Sequence, residues 1–288
     1  LRASRLLTEA HWRGTDPHII AYNSVLSAYS NSQQWERASL VMFGLAERWV
    51  EADIITHNAL LSAAEKGALW EPALELLGRA QLCGLQPDLI THRAAISALG
   101  KGHEWWRAFA QLRGLRQGSV YGLRLNAMAY NAAISASERG QQWPEATALL
   151  VEANHLGLET GLITYSAVIS AAEKGQQWRR ALKFLLEMSL RRLPLPAITC
   201  GAAILACSRS RQWIQALGLL EGMAVEAVEP DKTSCSLVLM ECEQRGALGS
   251  QLTLLSVLGE AGTGLGAAAE ALRSTAAEDL DFAGSGAE

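Results

Sequence analysis

The sequence has few cysteines, few charges and no long apolar run. Its 288 residues include five cysteines, which are scattered and form no CxxC pair, so a disulfide scaffold is excluded and reduced or buried thiols are expected. No stretch approaches the roughly 18 uninterrupted apolar residues that a membrane-spanning helix needs. Charged residues make up 19% of the chain, and the formal net charge is −4. Bulk charge therefore does not suggest a nucleic-acid partner, and we expect no membrane partner.

Two sets of residues recur with one period. Spacings of 35, 35, 38, 35 and 35 residues separate six tryptophans: Trp35, Trp70, Trp105, Trp143, Trp178 and Trp213. A second series, which begins with Tyr22-Asn23 and His57-Asn58, keeps the same spacing. Two independent markers with one period indicate tandem repeats. The predicted repeats are residues 19–53, 54–88, 89–126, 127–161, 162–196, 197–231 and 232–266.

The two ends of the chain lie outside these seven repeats. Residues 1–18 fit the phase of the second half of a truncated repeat. A targeting presequence is the rival interpretation, suggested by Arg2 and Arg5, and a first residue other than Met is typical of a processed or truncated N-terminus. Residues 267–288 form an acidic tail rich in Gly and Ala. We expect one short capping helix near residues 267–280 and disorder after it.

Each repeat is predicted to contain two helices. Residues 54–66 carry apolar side chains at helical spacing, and a second helix follows from about Trp70. Asp88 precedes the next helix and can cap it. Four first helices are followed by a glycine, which we expect to adopt the left-handed conformation that ends a helix: Gly67, Gly102, Gly140 and Gly175. With no strand-like alternation, the sequence predicts an all-α fold, a right-handed α-solenoid (superhelix) of tandem 35-residue helix-turn-helix repeats.

Tryptophan and cysteine are both expected in the core. The tryptophans precede an apolar stripe of the second helix, so packing between helices is favoured over base stacking. Cys200 and Cys207, and likewise Cys235 and Cys242, are seven residues apart. Core thiols are favoured over a metal site, because the four sulfurs would face the same way on two parallel helices.

One face of each first helix gathers the residue types that a single-stranded nucleic acid needs. The second, fifth, ninth and thirteenth residues lie within about 60° of one another on a helix. Five of the seven thirteenth residues are basic, where about 0.6 would be expected from composition. Such cations neutralise phosphates, while apolar groups hold bases and amides bond base edges. The candidates for phosphate contact are Lys66, Lys101, Arg139, Lys174 and Arg209.

This pattern favours single-stranded RNA bound along the concave face. A protein-interaction scaffold of the tetratricopeptide type remains the alternative, because it uses the same architecture to hold peptides. Motifs of catalysis are missing: the sequence has no HxE with a downstream CxxC, no phosphate-binding loop and no compact acidic cluster. Glu65, Glu138 and Glu173 recur once per repeat, and we place them on a solvated flank. We therefore expect no enzyme, no cofactor and no metal.

The repeat motifs resemble those of a known family. The runs IIAYNSVLSAYSNSQQW, IITHNALLSAAEKGALW and LITYSAVISAAEKGQQW, together with Gly84-Leu85-Gln86-Pro87-Asp88, are similar to pentatricopeptide repeats of the P type, in versions abundant in dinoflagellate algae. The resemblance covers about residues 1–266. It implies a monomer that binds single-stranded RNA in a mitochondrion or chloroplast. It also implies a role in RNA processing or stability, with other RNA-processing proteins as possible partners.

The resemblance also implies roles for individual residues. Aliphatic second residues clamp bases in that family, which implies this role for Ile20, Ile55, Ile90, Met128, Ile163 and Ile198. The fifth and last residues of a repeat together select the base, and Asn with Asp implies uracil. Two repeats match that pair, namely Asn23 with Asp53 and Asn58 with Asp88. The others depart from it: Arg93 with Asn126, Asn131 with Gly161, Ser166 with Pro196, Gly201 with Asp231, and Ser236 with Gly266.

Asn23 and Asn58 have a second interpretation. Short polar residues are common in the first turn of a helix, where they bond to nearby backbone groups. The alternative is therefore that both asparagines only fix the first turn of their own helix.

Overall fold

The structure is a computed structural model, and it describes residues 18–47, 51–117, 126–225, 233–236, 238 and 240. Three predictions lie largely or wholly outside the described residues. They are the truncated repeat at residues 1–18, the capping helix near 267–280, and most of the repeat at 232–266.

Twelve α-helices make up most of the described residues, which contain no strand. The all-α prediction is confirmed, as are the helix at 54–66 and the start of the next helix at Trp70. The odd-numbered helices are called first helices here and the even-numbered ones second helices. In chain order they are α1 (Ile19–Asn31), α2 (Trp35–Glu47), α3 (Ile54–Lys66), α4 (Trp70–Leu82), α5 (Leu89–Lys101), α6 (Trp105–Gln117), α7 (Ala127–Arg139), α8 (Trp143–His155), α9 (Leu162–Lys174), α10 (Trp178–Leu190), α11 (Ala197–Arg209) and α12 (Trp213–Val225).

The turn between the helices of a pair differs from the prediction. Gly67 and Gly102 have φ of −80° and −82°, and Gly140 and Gly175 have φ of −76° and −84°. None of the four is left-handed, so that prediction is wrong. The residue after each glycine takes the positive φ instead, at Ala68, His103, Gln141 and Gln176.

A close approach of tryptophan explains the glycine at two of these positions. A Cβ on Gly102 would collide with the indole of Trp70, and a Cβ on Gly140 would collide with that of Trp105. The tryptophan of one helix pair thus packs on the end of the first helix in the next pair. This contact agrees with the packing role predicted for the tryptophans.

The chain divides into two compact units, residues 1–160 and 161–288. In the first unit, the first helices α1, α3, α5 and α7 pack on one another in chain order. The second helices α2, α4 and α6 each pack on their own first helix and on the following one. In the second unit, α9 packs on α11, and α10 contacts both.

Small residues let neighbouring first helices come close together. A Cβ on Gly100 would lie 2.7 Å from the Cβ of Ala136, so α5 and α7 are nearly in backbone contact there. Leucines such as Leu60 and Leu61 are fully buried in the core of the first unit, and each contributes about 1.5–3 kcal/mol through burial. This row of first helices positions the site described below.

Three of the four cysteines that the structure describes lie in the core, whereas Cys83 is exposed. Cys200, Cys207 and Cys235 are buried, and none of them forms a disulfide within the described residues. Burial raises the pKa of the Cys207 thiol to about 11. This confirms the prediction of core thiols for these three, whereas Cys242 lies outside the described residues. Within the described ranges, no three metal-binding side chains cluster. None of the helices described there has the length and apolar character required to span a membrane.

Candidate nucleic-acid interface

The second residue of every described first helix is an exposed aliphatic side chain. Between 58% and 86% of each side chain is exposed, and the six are Ile20, Ile55, Ile90, Met128, Ile163 and Ile198. Single exposed apolar residues are common, but the same position in six helices forms a pattern that core packing does not explain. We call these side chains the aliphatic row.

An Asn–Thr–Asp cluster links the first two helix pairs. Asn23 donates from Nδ2 to Asp53, at 3.2 Å from Oδ1 and 3.4 Å from Oδ2. Thr56 donates from Oγ1 to Asn23 Oδ1 over 2.7 Å. The amide nitrogen faces a carboxylate and the amide oxygen faces a hydroxyl, so the network fixes the orientation of the amide. Asn23 is only 8% exposed, and little of it therefore lies on the surface.

The same cluster recurs one repeat later. Asn58 Nδ2 donates to Asp88 Oδ1 over 3.4 Å, and Thr91 Oγ1 donates to Asn58 Oδ1 over 2.6 Å. Asp88 also accepts from the backbone N–H of Thr91, and its own N–H donates to Thr91 Oγ1, which makes a capping box at the start of α5. One carboxylate therefore caps a helix and holds an amide of the preceding repeat.

Both aspartates are ionised at neutral pH. Burial alone would raise their pKa, but the hydrogen bonds that they accept outweigh it. Bonds from Thr56 and Asn23 hold the pKa of Asp53 below the usual 3.8, and bonds from Thr91 and Asn58 do the same for Asp88. Each amide thus faces a charged acceptor.

The third residue of the first helix is a part of the site that sequence analysis missed. Thr56, Thr91, Thr164 and Thr199 are all at most 1% exposed. Thr199 Oγ1 lies 2.8 Å from Ser166 Oγ, which repeats the pairing of threonine with the fifth residue of the preceding repeat. The signal was visible in the sequence, because threonine recurs at this position in four of the six described first helices.

In the repeats at 89–126, 127–161 and 162–196, the residue before the next first helix is not an aspartate, so the complete Asn–Thr–Asp cluster cannot form there. Asn126 accepts from the backbone N–H of Ala129 over 3.1 Å and so caps α7. Gly161 and Pro196 precede α9 and α11 without any side-chain cap. Arg93 and Asn131 are half-buried, Gly201 is buried and Ser236 is exposed, whereas Asp231 and Gly266 lie outside the described residues.

The five predicted phosphate contacts have different surroundings. Lys66 Nζ donates to Asn31 Oδ1 over 2.8 Å. Lys101 Nζ lies 3.4 Å from Glu65 Oε1, and Arg209 Nη1 lies 2.6 Å from Glu173 Oε1. Arg139 is exposed and Lys174 is half-buried.

The predicted solvated flank of glutamates is wrong. Glu173 is only 7% exposed, and Glu65 and Glu138 are half-buried. Because neighbouring first helices pack closely, the twelfth residue of one helix faces the next helix rather than water. Glu65 and Glu173 each form an ion pair with a basic residue there.

Comparisons with known proteins point to one family. The sequence model of the pentatricopeptide repeat domain matches residues 5–66, and that of the PPR repeat matches residues 163–193. A comparison with curated proteins gives no match.

Solved structures share the fold at low sequence identity. The pentatricopeptide repeat protein PPR10 from maize is 20% identical with a TM-score of 0.63, over 100% of this chain and 42% of that one. PPR10 in complex with an 18-nucleotide psaJ RNA element is 15% identical with a TM-score of 0.53, over 90% of this chain and 42% of that one. The PPR domain of Arabidopsis thaliana protein-only RNase P 1 in complex with tRNA is 12% identical with a TM-score of 0.54. That match covers 64% of this chain and 95% of the domain.

The chain thus spans less than half the length of the maize protein. Its described helix pairs keep one register, both family models match parts of it, and its fold is that of the solved relatives. The chain carries pentatricopeptide repeats at residues 5–66 and 163–193, on a fold that it shares with solved pentatricopeptide repeat proteins.

Proposed function

We propose that the chain binds single-stranded RNA along the first-helix face of each of its two compact units. The observation that carries this proposal is the aliphatic row, which recurs in six first helices and is accompanied in the first two repeats by the Asn–Thr–Asp clusters. A flexible chain of alternating bases and phosphates fits a surface on which exposed apolar side chains recur with one period. The protein acts as a non-enzymatic monomer in RNA processing or stability, in a mitochondrion or chloroplast, with other RNA-processing proteins as partners.

The solved relatives support this proposal. The maize protein has been crystallised with an 18-nucleotide RNA element, and the Arabidopsis domain with tRNA. Both have the fold described above, so the same face is available in this chain.

The geometry suggests how each base is held. A base enters between two successive members of the aliphatic row, for example between Ile20 and Ile55, and its flat faces contact both side chains. The side-chain amides of Asn23 and Asn58 each donate one N–H to a carboxylate and accept one hydrogen bond from a hydroxyl. The remaining N–H and lone pair match the acceptor and donor on the pairing edge of uracil. The first two repeats therefore select two adjacent uracils.

The aliphatic row supplies the test. In the variant Ile55→Asp/Ile90→Asp, each carboxylate repels phosphate and removes an apolar contact, so we expect RNA affinity to fall at least about tenfold, or ~1.4 kcal/mol. Fluorescence anisotropy with a uridine-rich single-stranded oligonucleotide measures the dissociation constant.

Two exposed leucines of the second helices provide the matched control. Leu82 and Leu190 are 89% and 77% exposed, so Leu82→Asp/Leu190→Asp makes the same chemical change away from the proposed face. The control should bind as the parent does. If both double variants bind RNA equally well, the first-helix face is not the site.

A further inference from the structure

Two of the basic thirteenth residues lie against a glutamate of the preceding first helix. Lys101 Nζ is 3.4 Å from Glu65 Oε1, and Arg209 Nη1 is 2.6 Å from Glu173 Oε1. In both pairs, the twelfth residue of one first helix meets the thirteenth residue of the next. One pair belongs to each compact unit, so the contact arises from the register of the repeat rather than from a chance meeting of surface charges.

The glutamates are held in place. Ser97 Oγ donates to Glu65 Oε1 over 2.8 Å, and the side chains of Glu65 and Glu173 are only 16% and 10% exposed. A carboxylate fixed in this way cannot swing out into water when a phosphate arrives. The phosphate would have to share its cation with an anion that stays in place, which cancels most of the attraction.

For two other basic thirteenth residues, Lys66 and Arg139, the twelfth residue of the preceding first helix carries no charge. Ser30 is the twelfth residue of the first helix before that of Lys66, and Gly100 is the twelfth residue of the first helix before that of Arg139. Lys66 Nζ contacts an amide oxygen, that of Asn31, instead of a carboxylate. Gly100 cannot become glutamate without a shift of the helices, because its Cβ would lie 2.7 Å from the Cβ of Ala136. We call Lys66 and Arg139 the open cations, and Lys101 and Arg209 the paired cations.

We propose that Glu65 and Glu173 are specificity-determining residues that weaken the sequence-independent part of RNA binding. Each glutamate neutralises one cation that would otherwise attract any phosphate. RNA affinity then depends mainly on the aliphatic row and the amide clusters, whose contacts differ from base to base. It depends less on the attraction between cations and phosphates, which is the same for every sequence. This inference rests on the RNA-binding function proposed above.

The test compares two glutamates on adjacent helices. Glu65→Gln keeps an acceptor for Ser97 but frees Lys101, whereas Glu75→Gln makes the same charge change in an exposed ion pair with Arg79 on a second helix. Dissociation constants are measured for the full chain with an unstructured oligonucleotide of mixed sequence and with a uridine-rich one, over a range of salt concentrations. Thermal unfolding followed by circular dichroism reports whether both variants fold.

We expect Glu65→Gln to bind the mixed-sequence RNA about fivefold more tightly at about 0.1 M salt. The slope of log K against log salt should be steeper by about 0.7, which is the value for one more phosphate contact on a single strand. Its preference for the uridine-rich RNA should shrink, because the added affinity is the same for every sequence. Glu75→Gln should change neither the affinity nor the slope.

A second pair of variants keeps the inference testable if Glu65→Gln does not fold. Lys66→Gln removes an open cation and should weaken binding, whereas Lys101→Gln removes a paired one and should have little effect. The inference is overturned if the parent binds RNA but Glu65→Gln behaves as Glu75→Gln does, or if the two lysine variants lose equal affinity. A parent protein that binds neither oligonucleotide overturns the proposed RNA-binding function itself.

Discussion

At the scale of single residues, one carboxylate serves two helices. Asp88 caps α5 through the backbone N–H of Thr91 and also accepts from the amide of Asn58 in the preceding repeat. Thr91 completes the cluster, because its hydroxyl contacts both partners at 2.6 Å. Stability and the proposed base selection therefore depend on the same few polar atoms.

Thr91→Val tests this shared dependence. The change keeps the shape of the side chain but removes its hydroxyl, which breaks the capping box and leaves Asn58 Oδ1 without its donor. We expect the free energy of unfolding to fall by about 1–2 kcal/mol and the preference for uracil at one position to decrease. Urea denaturation measures the first effect, and binding to oligonucleotides that differ at one base measures the second.

Asn58→Ala separates the two interpretations of the asparagine. If Asn58 only fixes the first turn of α3, this variant loses stability while its affinities for all four bases change by one common factor. A loss confined to uracil supports base selection.

The glycine that follows a first helix makes a prediction about packing. Gly140→Ala places a methyl group where the indole of Trp105 lies, and such overpacking costs about 1–3 kcal/mol. Gly78→Ala is the control, since Gly78 lies inside α4 with no atom near its Cβ position, and there alanine stabilises a helix by up to about 1 kcal/mol. Thermal unfolding should thus shift in opposite directions for the two variants, and a shift in the same direction would show that Trp105 can move aside.

At the scale of helices, the N-terminal caps differ along the chain. Asp53, Asp88 and Asn126 accept a backbone N–H with their side chains, whereas Gly161 and Pro196 do not. The helices α9 and α11 therefore begin without the bond that stabilises α3, α5 and α7.

Gly161→Asp should supply the missing cap of α9. Gly161 has φ of −110° and ψ of −165°, which any residue can adopt, and no atom lies near its Cβ position. We expect a gain of about 0.5–2 kcal/mol in unfolding free energy, measured by urea denaturation. Gly161→Ala is the matched control, because it removes the glycine without adding an acceptor. Equal stability of the two variants would mean that the aspartate does not cap the helix.

The helix boundaries could be predicted from the sequence because one period governs them all. A tryptophan starts each second helix, and the run after residue 54 ends at Lys66 as its spacing indicates. The contacts between repeats could not be predicted in the same way. The register shows that the residue types of Thr56, Gly102 and Glu173 recur at fixed positions of the repeat. It does not show which residue of the neighbouring repeat, some 32 to 36 positions away in the sequence, each of them contacts.

Those contacts depend on how closely the helices pack. The contact of Gly100 with Ala136 brings two first helices almost into backbone contact. Such close packing also shields from water the glutamates that were predicted to be solvated, namely Glu65, Glu138 and Glu173. For the same reason, threonine at the third position contacts the asparagine of the preceding repeat. Distances between helices are set by pairs of side chains from different repeats, and a single repeat sequence does not contain them.

At the scale of the whole molecule, buried histidine makes stability depend on pH. His92 is 4% exposed, and neither ring nitrogen has a hydrogen-bond partner in the described part of the chain. Burial lowers the pKa of His92 below its usual 6.5, although the charge of Asp88 opposes this in part. The folded protein therefore holds His92 neutral at a pH where the unfolded chain already takes up a proton.

The sign of the effect follows from that difference. The contribution of neutral His92 to the free energy of unfolding is fully present above pH 6.5. It is lost as the pH falls from there toward the lower pKa that His92 has in the folded state. Asp53 and Asp88 have lowered pKa values too, so their contribution is lost only below pH 3.8. The two effects therefore occupy separate pH ranges.

His92→Phe should reduce the acid sensitivity in the upper range. Phenylalanine fits a position that holds a buried tyrosine in other repeats, at Tyr130 and Tyr165, and it cannot take up a proton. Unfolding free energies at about pH 7.5 and about pH 5 should differ less for this variant than for the parent. Identical losses in the two proteins would show that His92 does not titrate on unfolding in this range.

The double use of the aspartates limits how such a protein can evolve. A mutation at Asp53 or Asp88 removes a helix cap together with an amide partner. Under the proposed function, a repeat that changes its base preference in one step therefore also loses stability. Gly161 and Pro196 occupy the same position in later repeats and cap nothing. Those repeats can therefore accept substitutions at that position without losing a helix cap. New sequence preferences should therefore arise first in the repeats at residues 127–161 and 162–196, while those at 19–53 and 54–88 are held by selection for folding.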